Sequence, residues 1–352
     1  MIMRKLILSI AAFAAATSLH AADPVAIKAY VTKALPRCAG SSITVEPVMK
    51  PGGPAGFEVF RVTQKSTDEH CGSQKYLTYS PKTQQVFFGS VLSLPVDPRT
   101  ATVRISETVG PILKAPVIVT VSPFPLPDGV RAVAINRQTE HGQFAYSGYL
   151  DSSERHLIVG LRGNLNEDPT KTLRDAIGVQ NAARRGNKTS KLEIIEISDF
   201  QCPTCARAHE TLEPILTKNL KKINYARLDL PLFEHHDWAV NAALGARAIQ
   251  RVAPAKYWNF VDQVFKNQEK LASTPFETFL KNFVADNDIN WESIQAIYAS
   301  RSERQALLDQ TSRSFAVGIN STPTFLINGQ MIGFGDGTYV TEVIKKALAA
   351  KK

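Results

Sequence analysis

Two cysteines, Cys202 and Cys205, are separated by Pro203 and Thr204 in the stretch SDFQCPTCARAHETLEPIL. Thiols at this spacing can supply half of a metal site, form a structural disulfide, or exchange disulfides with other thiols. The pair by itself does not separate these three chemistries. The choice among them depends on the elements that position the pair and on the other ligands that the chain could offer.

The flanking sequence predicts that Cys202 begins a helix. The upstream run KLEIIEISDF is apolar on both faces, as a buried central strand requires. Downstream, CARAHETLEPILTKNLKK carries apolar residues at helical spacing. Because the N-terminus of a helix stabilises anions, a thiolate at Cys202 has a lowered pKa and is a good nucleophile. Cys205, one turn later, is placed to resolve a mixed disulfide.

The histidines near this motif make a poor metal site. His235 and His236 are adjacent, so on a strand or loop their side chains point in different directions. His209 follows Cys202 closely, but a zinc or copper site would need further ligands. We therefore predict no metal and interpret these histidines as surface or packing residues.

A second motif lies far downstream, in GINSTPTFLINGQMIGFG. Two short β runs flank Asn328-Gly329, which is a strong signal for a type I′ hairpin. Thr322-Pro323 comes directly before the first run, where a proline is tolerated.

A strand, a CxxC motif heading a helix, and a distant Thr-Pro before a hairpin and a terminal helix resemble the exported DsbA-like thiol-disulfide oxidoreductases, which have a thioredoxin fold. The resemblance covers about residues 188–352. It implies that Pro323 is cis and packs against the cysteines. It also implies a buried acid six residues before the first cysteine, where Glu196 stands. Between the two motifs the family inserts a helical domain, and amphipathic helix candidates fill about residues 237–315 here.

The resemblance assigns roles to these residues. The predicted catalytic residues are Cys202, Cys205, Glu196 and Pro323, and the predicted substrate-binding residues are Thr322, Pro203 and Thr204. Glu196 would exchange a proton with Cys205 through water, since burial raises a carboxyl pKa; a buried carboxylate without a catalytic part is the alternative. Pro203-Thr204 brings a hydroxyl but no charge. We therefore expect a Cys202 pKa below that of a free thiol but above the ~3.5 of DsbA, and a milder oxidant.

The N-terminus predicts export. MIMRKLILSIAAFAAATSLHAAD begins with two basic residues, continues with an apolar run from Leu6 to Leu19, and ends in small residues. A membrane span needs ~20 apolar residues, and this run is shorter. We interpret residues 1–22 as a cleaved signal peptide and expect a periplasmic protein; a retained anchor is the alternative.

Composition and charge narrow the classes of partner that the protein could bind. The apolar fraction of 44% and charged fraction of 21% are typical of a globular protein. The formal net charge is +9, but no basic run has interleaved aromatic residues, so we predict no nucleic acid partner. The family implies no cofactor. The partners it implies are exported client proteins with thiols or disulfides and an inner-membrane redox protein.

The four cysteines allow three pairings. Because Cys202 and Cys205 are held close together, the economical second pair is Cys38–Cys71. Disulfides persist in the periplasm, so we predict a structural bridge there; two free buried thiols are the alternative.

The first half of the chain repeats. YLTYSPKTQQVFFGSVLSLPVDP and YSGYLDSSERHLIVGLRGNLNEDP align without a gap when Gly89 is set against Gly160. A helix candidate and further strand candidates precede each stretch. We predict two copies of one α+β unit, at 23–98 and 99–168, although coincidence among short β segments is the alternative. The unit resembles the dimerisation domain of DsbC- and DsbG-like disulfide isomerases.

The predicted fold class is therefore an α+β N-terminal region, a tandem repeat, followed by an α/β thioredoxin-like domain with a helical insertion. A linker helix over 169–189 would join the repeat to a catalytic domain at 190–352. We predict a periplasmic thiol-disulfide oxidoreductase, and a monomer, because the two copies can pair within one chain. The alternatives are a disulfide isomerase or reductase, and a non-enzymatic exported chaperone with a structural CxxC disulfide.

Overall fold

The structure, a computed structural model, describes residues 23–48, 53–68 and 71–350. The predicted signal peptide, residues 1–22, lies outside these ranges. Within them, none of the helices has the length and apolar character needed to cross a membrane. Two sheets organise the described residues, one of eight strands in the N-terminal half and one of five strands in the C-terminal half.

The N-terminal half consists of two successive sets, each with one helix and four strands. The first set is α1 (Pro24–Ala34), β1 (Ser42–Pro47), β2 (Glu58–Lys65), β3 (Ser73–Ser80) and β4 (Gln85–Ser93). The second set is α2 (Ala101–Leu113), β5 (Ile118–Pro125), β6 (Arg131–Thr139), β7 (Gly142–Leu150) and β8 (His156–Asn164). Helix α1 begins where Asp23 accepts a hydrogen bond from the Val25 N–H and Pro24 presets the first turn. The region is mostly β, more so than the predicted α+β class suggests.

All eight strands form one antiparallel sheet in the order β1-β2-β3-β4-β8-β7-β6-β5. The two sets thus meet through β4 and β8, and Gly89 is the direct partner of Gly160. A Cβ on Gly89 would lie 2.0 Å from the Val159 carbonyl oxygen, so only glycine permits this approach. Helix α1 packs its Ile27 and Val31 on the first four strands, and α2 packs on the other four.

The C-terminal half contains nine helices and five strands among the described residues. They are α3 (Pro169–Ile177), β9 (Ala183–Gly186), β10 (Glu193–Ser198), α4 (Pro203–Lys218), β11 (Asn224–Asp229), α5 (Ala239–Val252), α6 (Tyr257–Lys266), α7 (Gln268–Leu271), α8 (Phe276–Asp286), α9 (Trp291–Tyr298), α10 (Arg301–Ala316), β12 (Thr324–Ile327), β13 (Gln330–Gly333) and α11 (Thr338–Ala349). The sheet order is β13-β12-β10-β11-β9, and the β10–β11 pair is parallel. Helices α5 to α10 form the insertion between β11 and β12. Asn328 and Gly329 both have positive φ, as the predicted hairpin turn requires.

The prediction of one linker helix over 169–189 is wrong. Helix α3 ends at Ile177, because Gly178 adopts the left-handed conformation (φ 70°) that closes a helix. The chain then enters β9, which pairs antiparallel with β11 and forms an edge of the five-stranded sheet. Arg185 favours this strand, because its guanidinium lies 4.2 Å from the Trp258 ring centroid and pairs with Glu213. The catalytic sheet therefore starts before residue 190.

The two halves contact each other on two sides. Next to the edge strand β13, the Arg37 N–H donates to the Met331 carbonyl at 2.8 Å, and the Gly333 N–H donates to the Arg37 carbonyl at 2.9 Å. On the other side, β7 lies against α10, and the Gln305 amide donates to the Gln143 carbonyl at 2.7 Å. The N-terminal sheet is thus docked directly onto the C-terminal half.

Candidate active site

Cys202 lies at the junction of β10 and α4. It is the N-cap residue of α4 (φ −69°, ψ 120°), and Pro203 occupies the first helical position, where an N–H would have no partner in the helix. The backbone N–H groups of Thr204 and Cys205 lie close enough to stabilise a Cys202 thiolate. The buried strand β10 and the start of α4 fix this geometry.

The loop before β12 meets Cys202 from the other side. The Thr322–Pro323 peptide bond is cis, and the Cys202 Sγ donates to the Thr322 carbonyl oxygen at 3.5 Å. This contact spans 120 residues of sequence. The pairing of β12 with β10 produces it, since Ile197 is the register partner of Thr324.

Hydrogen bonds donated to the Cys202 sulfur, among them one from the Thr322 side chain, lower the pKa of Cys202 to about 6. The hydrogen bond from the Cys205 thiol to the Cys202 sulfur contributes most, and Thr322 and the N–H groups of Cys205 and Thr204 contribute less; burial acts in the opposite direction. The value lies between that of a free thiol and the ~3.5 of DsbA.

Cys205 has the opposite environment. Its side chain is fully buried, and burial raises the pKa of the thiol, as does the neighbouring Cys202 sulfur. The Asp199 N–H donates to the Cys205 Sγ at 3.4 Å. At neutral pH these shifts favour the thiolate at Cys202 and the protonated thiol at Cys205.

His236 contributes a charge that the sequence analysis did not assign to the site. Its Nδ1 lies 2.8 Å from the Oδ2 of the buried Asp199, and this hydrogen bond raises the pKa of His236. Cys202 also acts on His236 electrostatically, so a protonated His236 favours the thiolate. Parallel strands end at the same edge of a sheet, and the segment after β11 is thus brought to the end of β10. The position of His236 shortly after β11 was therefore the sequence signal that could have placed it at the site.

Amide side chains hold the turn before Cys202. The Gln201 Nε2 donates to the Asp237 carboxylate at 2.6 Å, and its Oε1 accepts from the Trp238 N–H at 2.7 Å. The Gln268 Nε2 donates to the Phe200 carbonyl at 2.7 Å and to the Cys202 carbonyl at 3.1 Å. The helical insertion therefore fixes the turn that presents Cys202.

Glu196 is buried within β10, on the face that packs against α4 through Ile194. The Tyr225 hydroxyl donates to its Oε2, and its Oε1 has no hydrogen-bond partner among the described residues. Its hydrogen bond is thus to a neighbouring strand and not to either cysteine. Its proton exchange with Cys205 thus stays a prediction.

The structure joins Cys38 and Cys71 in a disulfide that also borders the active-site region. A Cβ added to Gly333 would lie 2.7 Å from the Cys38 Sγ, which places the bridge against β13. A cleft of about 400 Å³ is lined by Cys71 on the N-terminal side and by Thr204, Thr322 and Pro323 on the catalytic side. The N-terminal half therefore forms one wall of a cleft beside Cys202.

One group of side chains has metal-like spacing. Ligand atoms of His209, Glu213 and Asp262 lie within 4.8 Å of one another. The His209 Nε2 already bonds the Asp262 Oδ1 at 2.6 Å, and both Glu213 oxygens accept from Arg185. These contacts form an ion-pair network that attaches α4 to α6 and β9, and it gives no support to a metal.

The geometry so far is a helix-capping thiolate, a buried partner thiol and a cis-proline loop on a five-stranded sheet. Residues 179–347 match the family model described as Thioredoxin (Thioredoxin_4). These residues form a thioredoxin-like domain. The match begins within the segment predicted as a linker and includes the whole helical insertion.

Similar solved structures cover about half of this chain. BdbD from Bacillus subtilis is 17% identical, with 49% of this chain and 95% of that chain covered, at a TM-score of 0.42. The thiol-disulfide exchange protein alpha-DsbA2 from Wolbachia pipientis is 17% identical, with coverages of 52% and 94% and a TM-score of 0.44. MdbA, a thiol-disulfide oxidoreductase from Corynebacterium diphtheriae, is 22% identical, with coverages of 46% and 89% and a TM-score of 0.38.

Curated relatives match less than half of this chain. The Na(+)/H(+) antiporter NhaA 1 of Salinispora arenicola is 24% identical over 166 residues, which are 47% of this chain and 24% of that protein. The antiporter NhaA of Herminiimonas arsenicoxydans is 26% identical over 163 residues, 46% of this chain and 25% of that protein. The chain thus spans about a quarter of the length of the curated relatives it matches.

Proposed function

We propose that this protein is a periplasmic thiol-disulfide oxidoreductase that exchanges disulfides with exported client proteins through Cys202 and Cys205. The asymmetry of the two thiols carries the proposal. Cys202 caps a helix, is 7% exposed and has a pKa lowered to about 6, whereas Cys205 is 0% exposed and has a raised pKa. A structural disulfide needs no such difference, but an exchange centre does, because its outer sulfur must act as nucleophile and leaving group.

The exchange proceeds through a mixed disulfide. A client thiolate attacks the Cys202 sulfur, the Cys202–Cys205 bond breaks, and Cys205 leaves as a thiolate that takes up a proton. A second client thiolate then attacks the client sulfur and expels Cys202 as a thiolate. The client gains a disulfide and the enzyme is left as a dithiol. The low pKa of Cys202 favours its departure in the second step. In the reducing direction Cys202 attacks first and Cys205 resolves.

Glu196 is proposed as the group that takes and returns the Cys205 proton through water. Its burial and its unpartnered Oε1 support this role. Thr322 and Pro323 would line the client site, where an extended client could pair with the loop backbone, and Pro203 and Thr204 would form its other side. The cleft that Thr322, Pro323 and Thr204 share supports this arrangement.

The N-terminal half is proposed to be a tandem repeat that replaces a dimer. The join of β4 to β8, with Gly89 opposite Gly160, supports two related units at 23–98 and 99–168. Each unit covers an edge of the other within one chain, so no second chain is needed for that contact. We propose a monomer with one redox site, exported by residues 1–22 and served by an inner-membrane redox partner.

Reduction of insulin by dithiothreitol tests the enzyme proposal. We expect the mature protein to accelerate insulin precipitation, and the Cys202→Ser variant to have no effect above background. The Thr217→Ser variant, changed on the same helix but away from the cysteines, should match the parent protein. Equal rates for the parent and Cys202→Ser would instead indicate a chaperone with an inert CxxC. If the protein is active, the reduction potential of the Cys202–Cys205 pair would show whether it acts as an oxidant or as a reductant.

A further inference from the structure

A second cavity, unrelated to the cysteine cleft, is rich in arginine. It has a volume of about 390 Å³ and lies between β11, α5, α10 and the segment before β9. Four guanidinium groups line it, from Arg227, Arg247, Arg251 and Arg313. Gln310 and Tyr257, both buried, supply further polar atoms to its wall.

The charges around this cavity do not balance. Arg227 pairs with Asp229, and Arg251 pairs with Glu303. No carboxylate among the described residues lies within ion-pair distance of Arg247 or Arg313; Arg247 donates only to the neutral Gln310 Oε1, at 2.6 Å. Asp229 also lines the cavity, so the four arginines and the two paired carboxylates leave a net charge of +2 around it. Burial lowers the pKa of Arg247, while Asp229 and Glu303 act in the opposite direction.

The buried arginine also has unused hydrogen-bonding capacity. Arg227 is one of the largest fully buried side chains, and its Nε and Nη2 have no hydrogen-bond partner. A guanidinium buried with two donors unused is costly, because the lost hydration of those donors is not replaced. Its flat face is covered by Phe200, whose ring centroid lies 3.9 Å away, so the ring holds the group in place.

We propose that this cavity binds a phosphate dianion, either as inorganic phosphate or as the phosphate group of a small monoester. The net charge of +2 around the cavity matches the two negative charges that such a group carries at neutral pH. Planar guanidinium groups bind tetrahedral oxyanions through paired N–H donors, which would use the free donors of Arg227. The volume of the cavity leaves room for an organic group beside the phosphate. The proposal does not depend on redox activity.

Isothermal titration calorimetry of the full chain, at constant ionic strength, tests this site. The probes are inorganic phosphate, glycerol phosphate and, as a dianion of different shape, succinate. We expect saturable binding of one phosphate probe per chain. Tighter binding of glycerol phosphate would indicate a monoester ligand, and tighter binding of inorganic phosphate the free ion. Equal affinity for succinate would overturn the phosphate assignment, and the absence of binding would overturn the site.

Charge variants locate the binding. Arg313 is exposed and has no ion-pair partner in the described part of the chain, so the Arg313→Gln variant should fold normally and bind phosphate at least ~10-fold more weakly, a loss of about 1.4 kcal/mol. Arg247→Gln should weaken binding at least as much. Arg301→Gln removes an exposed charge at the other end of α10, outside the cavity, and should bind like the parent protein. An equal loss in Arg301→Gln would show general charge attraction and reject the site. Insulin reduction should be unaffected by Arg313→Gln, which separates this proposal from the redox function.

Discussion

At the scale of single residues, the electrostatics of Cys202 are shared between backbone and side chains. Its thiolate is stabilised by Cys205, by the Thr322 loop and by the first turn of α4. His236, whose pKa the hydrogen bond to Asp199 raises, adds a positive charge when it is protonated. The Cys202 pKa is depressed relative to the unfolded chain, so the thiolate contributes stability above the ordinary thiol pKa. That contribution is lost as pH falls through about 6.

The His236→Gln variant should raise the pKa of Cys202. Removing the cation next to a thiolate disfavours the charged form, and we expect a shift of about one pH unit. The pH dependence of iodoacetamide alkylation of Cys202 reports this shift, with a midpoint near 6 in the parent protein. His235→Gln is the matched control, because His235 is adjacent but exposed. The role of His236 would be rejected if both variants had the same midpoint as the parent.

The Cys205→Ser variant should trap client proteins in mixed disulfides. Cys202 would still attack, but the buried resolving thiol would be absent, so the mixed disulfide would persist. Non-reducing electrophoresis with a model client of one disulfide would detect the trapped species. Cys202→Ser should trap none. Trapping by Cys202→Ser alone would reverse the two assignments.

At the scale of elements, the pairing of β4 with β8 depends on two facing glycines. The Cα atoms of Gly89 and Gly160 approach so closely that a Cβ on Gly160 would lie 2.3 Å from the Phe88 carbonyl oxygen. Gly160 also has φ 150°, which other residues rarely adopt. This strand pair joins the two four-stranded sets into one sheet.

The Gly160→Ala variant should therefore lower the free energy of unfolding by at least about 1–3 kcal/mol, the usual cost of overpacking. Urea denaturation would measure it. The Gly72→Ala variant is the control, because its Cβ would come no nearer than 3.9 Å to any neighbour and its φ is ordinary. Equal stability of the two variants would show that the sheet accommodates a Cβ between β4 and β8 without a loss in the free energy of unfolding.

At the scale of the whole molecule, the N-terminal sheet has its two sets joined in the centre, with β1 and β5 left at the outer edges. The first set reaches the catalytic half through the Arg37 segment and the second through β7 and α10. The site and its cleft are thus completed within one chain.

We expect the mature protein to be monomeric. The join that would otherwise require a second chain is intramolecular, and effective concentration favours it. Light scattering should give the mass of a single mature chain across a wide range of concentration. A stable dimer linked through the outer strands β1 or β5 would contradict the pseudo-dimer proposal and favour a disulfide isomerase.

The local elements around the site could be predicted from the sequence, because each depends on short-range patterns. The strand before Cys202, the helix after it and the Asn328-Gly329 hairpin follow from apolar periodicity and turn chemistry. The alignment of Gly89 with Gly160 likewise came from the residues alone. In the N-terminal half, the repeat pattern gave a helix before each group of strands, although the region is more strongly β than expected.

Contacts between distant segments of the chain were determined only by the tertiary structure. The sequence indicated a helix beyond Ile177, but pairing with β11 and the packing of Arg185 on Trp258 favoured a strand at β9. His236 reaches Asp199 because β11 runs parallel to β10, and the disulfide joins the cysteine cleft because Arg37 pairs beside β13. The arginine cavity brings together residues from β11, α5 and α10. Periodicity reports only which face of an element is apolar; which elements meet depends on the packing of the complete chain.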